Sequence, residues 1–438
     1  MSKLDQLREG GVVGGGGAGF PLWKKLAGKA EYLLINGAEC EPLLKSDQFL
    51  MLKNPDELVK SASALAEIVE AKEAVICVKD HYAAQISALK AAIAMLPVNP
   101  PVRIHELPTI YPIGDEQAVV RSATGRTVPP GGLPGEVGCC VTSVSTALNA
   151  LRALDGKPVT RRYVTVAGEV KNPGVYKVPI GMPINTLLER AGGATVPEYK
   201  LILGGPMMGP QVNAENGNVV TKTTGGLLVV PADHPLIRRG ELTMAQIKNR
   251  ARSACIQCRT CTDLCPRYLS GHPIYPHLSM RALAYGDYVE KSAALCMECG
   301  VCELYACPMG LSPRRVQQQM KGQLRAQGVR NTFELKDAPA LADLHHVPSS
   351  RMLNRIDLGQ YDMPVPDTAV DVNTDLVCIP LRQHIGAPAQ CVVRVGDHVT
   401  RGQVIGKMAD AALGADVHAS ICGTVRQADE NMVTIHAD

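Results

Sequence analysis

Two cysteine-rich runs constrain this chain more than any other feature of its sequence. The first run, CIQCRTCTDLCP, covers residues 255–266 and has the spacing C-x2-C-x2-C-x3-C-P. The second run, CMECGVCELYACP, covers residues 296–308 and has one more residue before its last cysteine. Thiolates at this spacing are typical ligands of 4Fe-4S clusters. Three cysteines of one run hold one cluster, and the fourth cysteine, before the proline, reaches the other cluster.

This crossed arrangement predicts two sets of four ligands. The first set is Cys255, Cys258, Cys261 and Cys307, and the second set is Cys296, Cys299, Cys302 and Cys265. Zinc is the alternative, because C-x2-C pairs also bind zinc. A tetrahedral zinc site, however, leaves the third and fourth cysteines of each run unexplained. We therefore predict two 4Fe-4S clusters.

Composition narrows the class of protein. Of the 438 residues, 46% are hydrophobic and 20% are charged, which is ordinary for a globular protein of several domains. The net charge is +3 and no basic run is present, so we expect no nucleic-acid partner. No apolar stretch is long enough to predict a transmembrane segment, and residues 1–11 lack the apolar core of a signal peptide. The seven cysteines outside the two runs are scattered, which favours the reducing cytoplasm.

Strand and helix patterns predict a multidomain fold of the α/β plus α+β class. Residues 31–39 and 73–80 read as buried strands that flank an amphipathic helix, and residues 161–193 read as short strands followed by one helix. The predicted domains are an α/β domain (1–155), a β-grasp domain (156–235), a helical two-cluster ferredoxin domain (240–335), an extended connector (336–375) and a C-terminal barrel-sandwich domain (376–438).

The C-terminal domain is predicted from a repeated glycine pattern. Residues 396–406 read G-D-x-V-x-x-G-Q-x-I-G, which resembles the barrel-sandwich fold of lipoyl and biotinyl domains. Those domains carry a modified lysine at the tip of a hairpin. The corresponding residues 411–418 contain no lysine, so we expect an unmodified docking or scaffold domain.

A glycine-rich stretch, GGVVGGGGAGFPLWKKL, begins at Gly10. Four consecutive glycines, Gly14 to Gly17, let backbone amides approach a ligand without obstruction by β-carbons, as a phosphate-binding loop requires. A flexible linker is the alternative, because glycine-rich loops are common. A Rossmann dinucleotide fingerprint does not fit, since no predicted strand leads into the glycines.

Four segments in the α/β domain resemble one known family. They are GGGGAGFP (14–21) with Lys25, NGAECEP (36–42), YPIGDE (111–116) and VTSVSTA (141–147). In this order they are similar to the flavin- and NADH-binding subunit of respiratory complex I and to the C subunit of the Rnf electron-transfer complex. The resemblance continues through the β-grasp segment, which resembles their soluble-ligand-binding β-grasp (SLBB) domain, and through the two cysteine runs, as in the Rnf C subunit.

The resemblance implies an FMN/NADH-binding site. It implies that Gly14, Gly15, Gly16, Gly17 and Lys25 hold the FMN phosphate, with Asn36 and Glu39 near the flavin and Phe20 stacked on the flavin or nicotinamide. NADH would contact Glu41 and Glu116. The pocket would be lined by Tyr111, Gly114 and Asp115 and closed by Thr142, Ser143 and Thr146. The complex I pattern differs at four positions in these segments, with arginine at Gly15, aspartate at Ala38 and asparagines near Thr142 and Ser143.

The implied activity is electron transfer from NADH through FMN and two 4Fe-4S clusters to a one-electron acceptor. In the Rnf C subunit the barrel-sandwich segment comes first and a long tail follows the clusters. Here the barrel-sandwich segment comes last, an order that resembles the corrin reductases of propanediol-utilising bacterial microcompartments. This implies cobalamin as the acceptor, an adenosyltransferase and shell or lumen proteins as partners, and a microcompartment location. The alternatives are an Rnf-like peripheral subunit of a membrane complex and an electron-carrying scaffold without its own NADH site.

Overall fold

The computed structural model describes residues 1–213, 217–286, 288–329, 332–410 and 412–438. Part of the expected hairpin tip at 411–418 lies outside these residues, because its first residue, Ala411, is not described. None of the helices in the described ranges is both long and apolar enough to cross a membrane.

The N-terminal domain is a parallel sheet covered by helices on both faces. Its sheet has the strand order β3-β2-β1-β5, and all three pairings are parallel. Its strands are β1 (Tyr32–Gly37), β2 (Glu73–Lys79), β3 (Val102–Leu107), β4 (Ile110–Tyr111) and β5 (Cys139–Ser143). Its helices are α1 (Lys3–Glu9), α2 (Leu22–Lys25), α3 (Ser46–Lys53), α4 (Pro55–Ile68), α5 (Ala83–Met95), α6 (Glu116–Thr124) and α7 (Val144–Leu154), with a 3-10 turn at Pro134–Val137. The central strands are continuously apolar because helices cover both of their faces.

The second domain is the expected β-grasp unit. Its elements are β6 (Arg161–Gly168), β7 (Gly174–Pro179), α8 (Ile184–Arg190), β8 (Tyr199–Leu203), β9 (Gln211–Val212) and β10 (Gly226–Pro231). Strands β6 and β7 form an antiparallel hairpin joined by residues 169–173. Gly192 and Gly193, which follow α8, have φ values of +88° and +81°. Side chains are disfavoured in this conformation, so the two glycines allow the chain to turn there.

Short helices surround the two cysteine runs. They are α9 (Pro235–Gly240), α10 (Met244–Ala254), α11 (Thr260–Asp263), α12 (Pro266–Leu269), α13 (Pro276–Tyr285) and α14 (Pro313–Ala326), with a 3-10 turn at Lys291–Leu295 and a π-helix at Val301–Ala306. Helices α10, α13 and α14 pack around a core that includes Ile247, Met280 and Val316.

The segment expected to be an extended connector differs from that expectation. It contains β11 (Val347–Pro348), α15 (Ser349–Arg355) and β12 (Val370–Asp371), with 3-10 turns at Ala342–Leu344 and Gly359–Tyr361. Strand β11 pairs with β4 of the first domain, and β12 extends the β-grasp sheet beside β7. Met352 and Leu358 are buried in the core below α15. The apolar residues that pack this segment against the neighbouring domains are too widely spaced to show the periodicity of a helix or a strand in the sequence.

The C-terminal residues form the expected barrel-sandwich fold. Two small sheets, with strand orders β13-β19-β18-β15 and β14-β16-β17, pack around a common apolar core. The strands are β13 (Leu376–Pro380), β14 (Gln390–Cys391), β15 (His398–Val399), β16 (Val404–Lys407), β17 (Val417–His418), β18 (Gly423–Ala428) and β19 (Met432–His436).

Candidate cofactor sites

The glycine run forms a loop between α1 and α2 whose outer side is open. The Gly14 amide donates to the Phe20 carbonyl at 2.9 Å, and the Gly15 amide donates to Thr146 Oγ1 at 2.7 Å. Apart from the neighbouring residues of the loop, a β-carbon on Gly16 or Gly17 would meet none of the described residues within 4 Å. The loop is therefore anchored from behind by Thr146 and leaves Gly16 and Gly17 free to approach a ligand.

The open side of the loop faces a cavity of about 740 Å³ between the first and second domains. This volume lies within the range of small-molecule and cofactor sites. The residues implied by the family resemblance that line this cavity are Gly15, Gly16, Gly17, Asn36, Glu39, Glu41 and Ser143. The opposite wall consists of β-grasp loops at 203–210 and 217–225, in the described parts of those segments.

Other implied residues do not line this cavity. They are Gly14, Phe20, Lys25, Tyr111, Gly114, Asp115, Glu116, Thr142 and Thr146. Lys25 and Glu116 form an ion pair with each other at 3.0 Å. The Phe20 side chain is exposed. The Gly114 carbonyl accepts a hydrogen bond from Asn36 Nδ2 at 2.8 Å, so Gly114 supports a residue of the cavity from outside it.

The two glutamates after β1 have different surroundings. Glu39, at φ +38°, accepts hydrogen bonds from the Asp47 and Gln48 amides at 2.7 and 2.9 Å and so caps the N-terminus of α3. Glu41 reaches the β-grasp domain, where one carboxylate oxygen accepts from the Met207 amide at 3.0 Å. Its other oxygen, Oε1, is buried and has no partner among the described residues. Burial raises the pKa of Glu41 to about 7, although the backbone hydrogen bonds from residues 207 and 208 act to lower it.

The cavity is also lined by two charged residues that the sequence patterns did not single out, the buried Arg162 and the partly buried Asp47. Arg162 of β6 donates through Nε to the Thr224 carbonyl at 3.0 Å and through Nη2 to the Gly15 carbonyl. Asp47 of α3 lies nearby, and its pKa is raised to about 7 by burial and by the charge of Glu39, while Arg162 lowers it. A signal for Arg162 existed in the sequence. It shares one face of a strand with Val164 and Val166, where an arginine is unusual.

The structure brings each predicted cysteine set together around its own small cavity. Cys255, Cys258, Cys261 and Cys307 line one cavity of about 20 Å³. Cys265, Cys296, Cys299 and Cys302 line another of about 20 Å³. Within the described ranges, no group of three or more His, Cys, Asp or Glu side chains converges closely enough to hold a single metal ion. Four thiol donors arranged around a space fit a cubane cluster, whose irons each take one thiolate.

The backbone of the two runs repeats the same turns. Gln257 and Arg259 have φ values of +56° and +66°, and the residues at the equivalent positions, Glu298 and Gly300, have +65° and +83°. These turns direct amides toward sulfur, as in the hydrogen bond from the Glu298 amide to Cys296 Sγ at 3.3 Å. Hydrogen bonds to the sulfurs help to set the potential of an iron–sulfur cluster.

The additional residue of the second run is absorbed by a change of helix type. The first run continues from its third cysteine through the α-helical turn α11, whereas the second continues through the π-helix Val301–Ala306. A π-helix accommodates one more residue per turn than an α-helix. Cys307 therefore still reaches the cavity lined by the first run.

Two contacts join the cysteine region to the first domain. The Tyr111 hydroxyl donates to the Cys299 carbonyl at 2.8 Å, and the Tyr111 side chain is buried. Arg267, two residues after Cys265, forms a bidentate ion pair with Asp115 at 2.7 and 3.0 Å. Tyr111 and Asp115 thus contact the cysteine region and not the large cavity. We call the set of Cys265, Cys296, Cys299 and Cys302 the inner set and the other four cysteines the outer set.

Comparison with known proteins matches four segments of the chain to known domains. Residues 7–152 match the Nuo51 FMN-binding domain, residues 163–211 the SLBB domain, residues 254–312 the 4Fe-4S dicluster domain and residues 367–438 the RnfC barrel sandwich hybrid domain. Cobalamin reductase PduS of Salmonella typhimurium is 44% identical over 98% of this chain and 95% of its own length. The chain belongs to the PduS family.

More distant likenesses agree with this membership of the PduS family. The PduS protein of Citrobacter freundii is 42% identical over 98% of this chain and 95% of its own length. The C subunit of the ion-translocating oxidoreductase complex of Cronobacter sakazakii is 35% identical over 62% of this chain and 34% of its own length.

These matches confirm the predicted multidomain fold and the predicted cofactors, FMN and 4Fe-4S clusters. They also confirm that the chain is an oxidoreductase. The domain boundaries and the individual cofactor-binding residues stay predictions.

Proposed function

We propose that this chain oxidises NADH at an FMN held beside the glycine loop and delivers single electrons through the inner and then the outer cysteine set to cobalamin. The observation that supports the proposal is the order of three sites: the cavity beside the glycine loop, the inner cysteine set and the outer cysteine set. The inner set, in which three of the four cysteines are buried, contacts the flavin domain through Tyr111, whereas the outer set includes the exposed Cys258. Bound flavin accepts the two electrons of a hydride and releases them singly, as iron–sulfur clusters require.

The residues of this chain supply binding and position. Gly16 and Gly17 line the cavity, and Thr146 holds the loop from behind through the Gly15 amide. Asn36 and Glu41 line the far side, and the partnerless Oε1 of Glu41 is an acceptor that a hydroxyl or amide of the bound dinucleotide can satisfy. Tyr111 and the Asp115–Arg267 ion pair hold the inner set in register with this domain.

Cobalamin as the acceptor is supported by the relatives. PduS of Salmonella typhimurium carries the name cobalamin reductase and matches this chain along nearly its whole length, so it shares every domain. We infer that the chain reduces cob(III)alamin toward cob(II)alamin and cob(I)alamin. We also infer that it passes the reduced corrin to an adenosyltransferase and works in the cytoplasm, within a bacterial microcompartment whose shell or lumen proteins it contacts.

The deciding experiment is anaerobic reduction by NADH, with and without hydroxocobalamin. We expect NADH to bleach the flavin and to reduce both clusters, and added hydroxocobalamin to reoxidise them with the formation of cob(II)alamin. Absorbance and electron paramagnetic resonance spectra follow each step. Clusters that NADH reduces but hydroxocobalamin does not reoxidise would contradict the acceptor.

The variant Gly16→Val tests the flavin site. Leaving aside its chain neighbours, a β-carbon at this position meets none of the described residues within 4 Å, so we expect the substitution to keep the fold and to narrow the cavity. We expect loss of tightly bound FMN with the clusters retained. Gly28→Val is the matched control, because its β-carbon also meets no atom and Gly28 lies outside the cavity. Full flavin retention by Gly16→Val would mean that the loop is a linker.

A second candidate is an Rnf-like peripheral subunit of a membrane complex. The observation in its favour is the 35% identity to the C subunit of the ion-translocating complex, which extends over 62% of this chain. Stable co-purification with membrane proteins would support it. An electron-carrying scaffold without an NADH site would instead purify with clusters and without flavin.

A further inference from the structure

Arg162 is the one cation from the β-grasp domain that lines the flavin-domain cavity in the described part of the chain. It lies on β6, yet its Nη2 group reaches the Gly15 carbonyl of the glycine loop. The residue is only 6% exposed. A buried arginine that crosses between two domains to a ligand cavity requires a partner for its charge.

The described residues leave part of that requirement unmet. Nε and Nη2 donate to the Thr224 and Gly15 carbonyls, but Nη1 has no hydrogen-bond partner among them. The carboxyl groups of Glu39 and Asp47 lie near Arg162, but neither forms an ion pair with it. Glu39 uses its oxygens to cap α3, and burial together with the charge of Glu39 raises the pKa of Asp47, which disfavours its charged form.

The groups on the same side of the cavity favour an anion. The 11-residue helix α7 begins there, and its N-cap, Ser143, makes no side-chain capping hydrogen bond. The amides of Gly16 and Gly17 donate no hydrogen bond in the described part of the chain. A helix N-terminus, free amides and a buried guanidinium together form a site for a phosphate group.

Lys25, which the family resemblance implies as the phosphate cation, is engaged elsewhere. Its ammonium pairs with Glu116 at 3.0 Å, and it does not line the cavity. Glu116 therefore offsets the charge of Lys25, whereas no carboxylate among the described residues pairs with Arg162.

We propose that Arg162 binds the phosphate of FMN, so that the β-grasp domain supplies a counter-charge to the flavin held by the first domain. This inference rests on the proposed function, because it requires FMN in the cavity. The β-grasp domain is then part of the flavin site. Bound FMN holds the two domains together, because Arg162 of the β-grasp domain contacts both the phosphate and the Gly15 carbonyl of the first domain.

The test compares FMN with riboflavin, which has the same ring system and no phosphate. Both ligands are titrated anaerobically into flavin-depleted full-length protein that retains its clusters, and binding is followed by quenching of flavin fluorescence. For Arg162→Gln we expect FMN affinity to fall by roughly tenfold or more, the size of a charged hydrogen bond, while riboflavin affinity changes by less than about threefold. Arg162→Lys keeps the charge and should lie between wild type and Arg162→Gln.

The controls separate the possible failures. Arg190→Gln changes an exposed arginine of the same domain and should bind both flavins as the wild type does. Equal losses of FMN and riboflavin affinity in both Arg162 variants would overturn the proposal, because a structural role affects both ligands alike. Unchanged FMN affinity would also overturn it. Wild-type protein that binds neither flavin would refute the proposed function itself.

Discussion

The inner and outer sets each bring four cysteines around a small cavity and repeat the same turns, but their surroundings differ. In the inner set Cys265, Cys299 and Cys302 are buried, and the Cys299 carbonyl accepts the Tyr111 hydrogen bond from the flavin domain. In the outer set Cys258 is exposed, and the exposed side chains of Ile256 and Met309 line the same cavity. The comparison indicates that two nearly equal motifs acquire different positions in an electron path because one faces a protein domain and the other faces solvent.

Loss of the inner set should have the largest effect. Cys299→Ala removes a ligand between the flavin and the outer set, so we expect cobalamin reduction by NADH to fall by at least about a hundredfold. NADH should still reduce the flavin, and a small dye that accepts electrons directly from flavin should still turn over. Stopped-flow absorbance measures both reactions.

The control for this variant is Cys77→Ala, which removes a buried thiol outside both sets. It should reduce cobalamin at nearly the wild-type rate. Cobalamin reduction that survives in Cys299→Ala would indicate that the flavin serves the corrin directly, and the comparison of the two sets would then lose its functional meaning.

Loss of the outer set should leave more of the electron-transfer path intact than loss of the inner set. Cys258→Ala should lower the iron content from about eight to about four atoms per chain, while NADH still reduces the remaining inner cluster. Iron and sulfide analysis and electron paramagnetic resonance measure this outcome. Cys422→Ala, at an exposed cysteine outside both sets, should keep all the iron. If Cys258→Ala abolished reduction of the inner cluster, the proposed order of the two sets would be wrong.

The contact of the inner set with the flavin domain should have a smaller and measurable effect. Tyr111→Phe removes the donor to a buried carbonyl, so we expect the free energy of unfolding to fall by about 1 kcal/mol and the inner cluster to be reduced more slowly. Anaerobic denaturation and rapid mixing measure the two changes.

The outer side of the cysteine region offers a matched control for Tyr111→Phe. Tyr285 also donates to a carbonyl, that of Arg252 at 2.7 Å, but its side chain is 65% exposed. Tyr285→Phe should cost little stability because water replaces the lost partner. Equal costs for the two variants would mean that the two sides of the cysteine region are alike.

The last prediction concerns the pH dependence of stability. Burial raises the pKa of Glu41 from 4.5 to about 7, so the folded state keeps a proton there that the unfolded state loses. This residue therefore makes stability fall as the pH rises from about 4.5 to 7. Glu41→Gln should flatten that dependence and raise stability at pH 8 by about 1–3 kcal/mol. Unfolding measured between pH 4.5 and pH 8, with exposed Glu430→Gln as control, tests this; an unchanged slope would contradict it.

Local spacing was sufficient for several features. The C-x2-C-x2-C pattern sets which thiols can surround one cluster, because a few residues of backbone determine where their side chains point. The apolar runs of β1 and β2 and the glycines after α8 are local signals of the same kind. The family resemblance added FMN, which no spacing in this chain shows by itself.

Only the tertiary structure decided which charges meet and which cysteine set is buried. Arg162 contacts Gly15 across 147 residues of chain, and Tyr111 contacts Cys299 across 188 residues. Lys25 and Glu116, both implied as cofactor residues, pair with each other across 91 residues. The sequence by itself predicted the two cysteine sets and the domain types, because both depend on short-range geometry. Partners, burial and pKa values depend on which surfaces pack together after folding, and no short-range pattern carries that information.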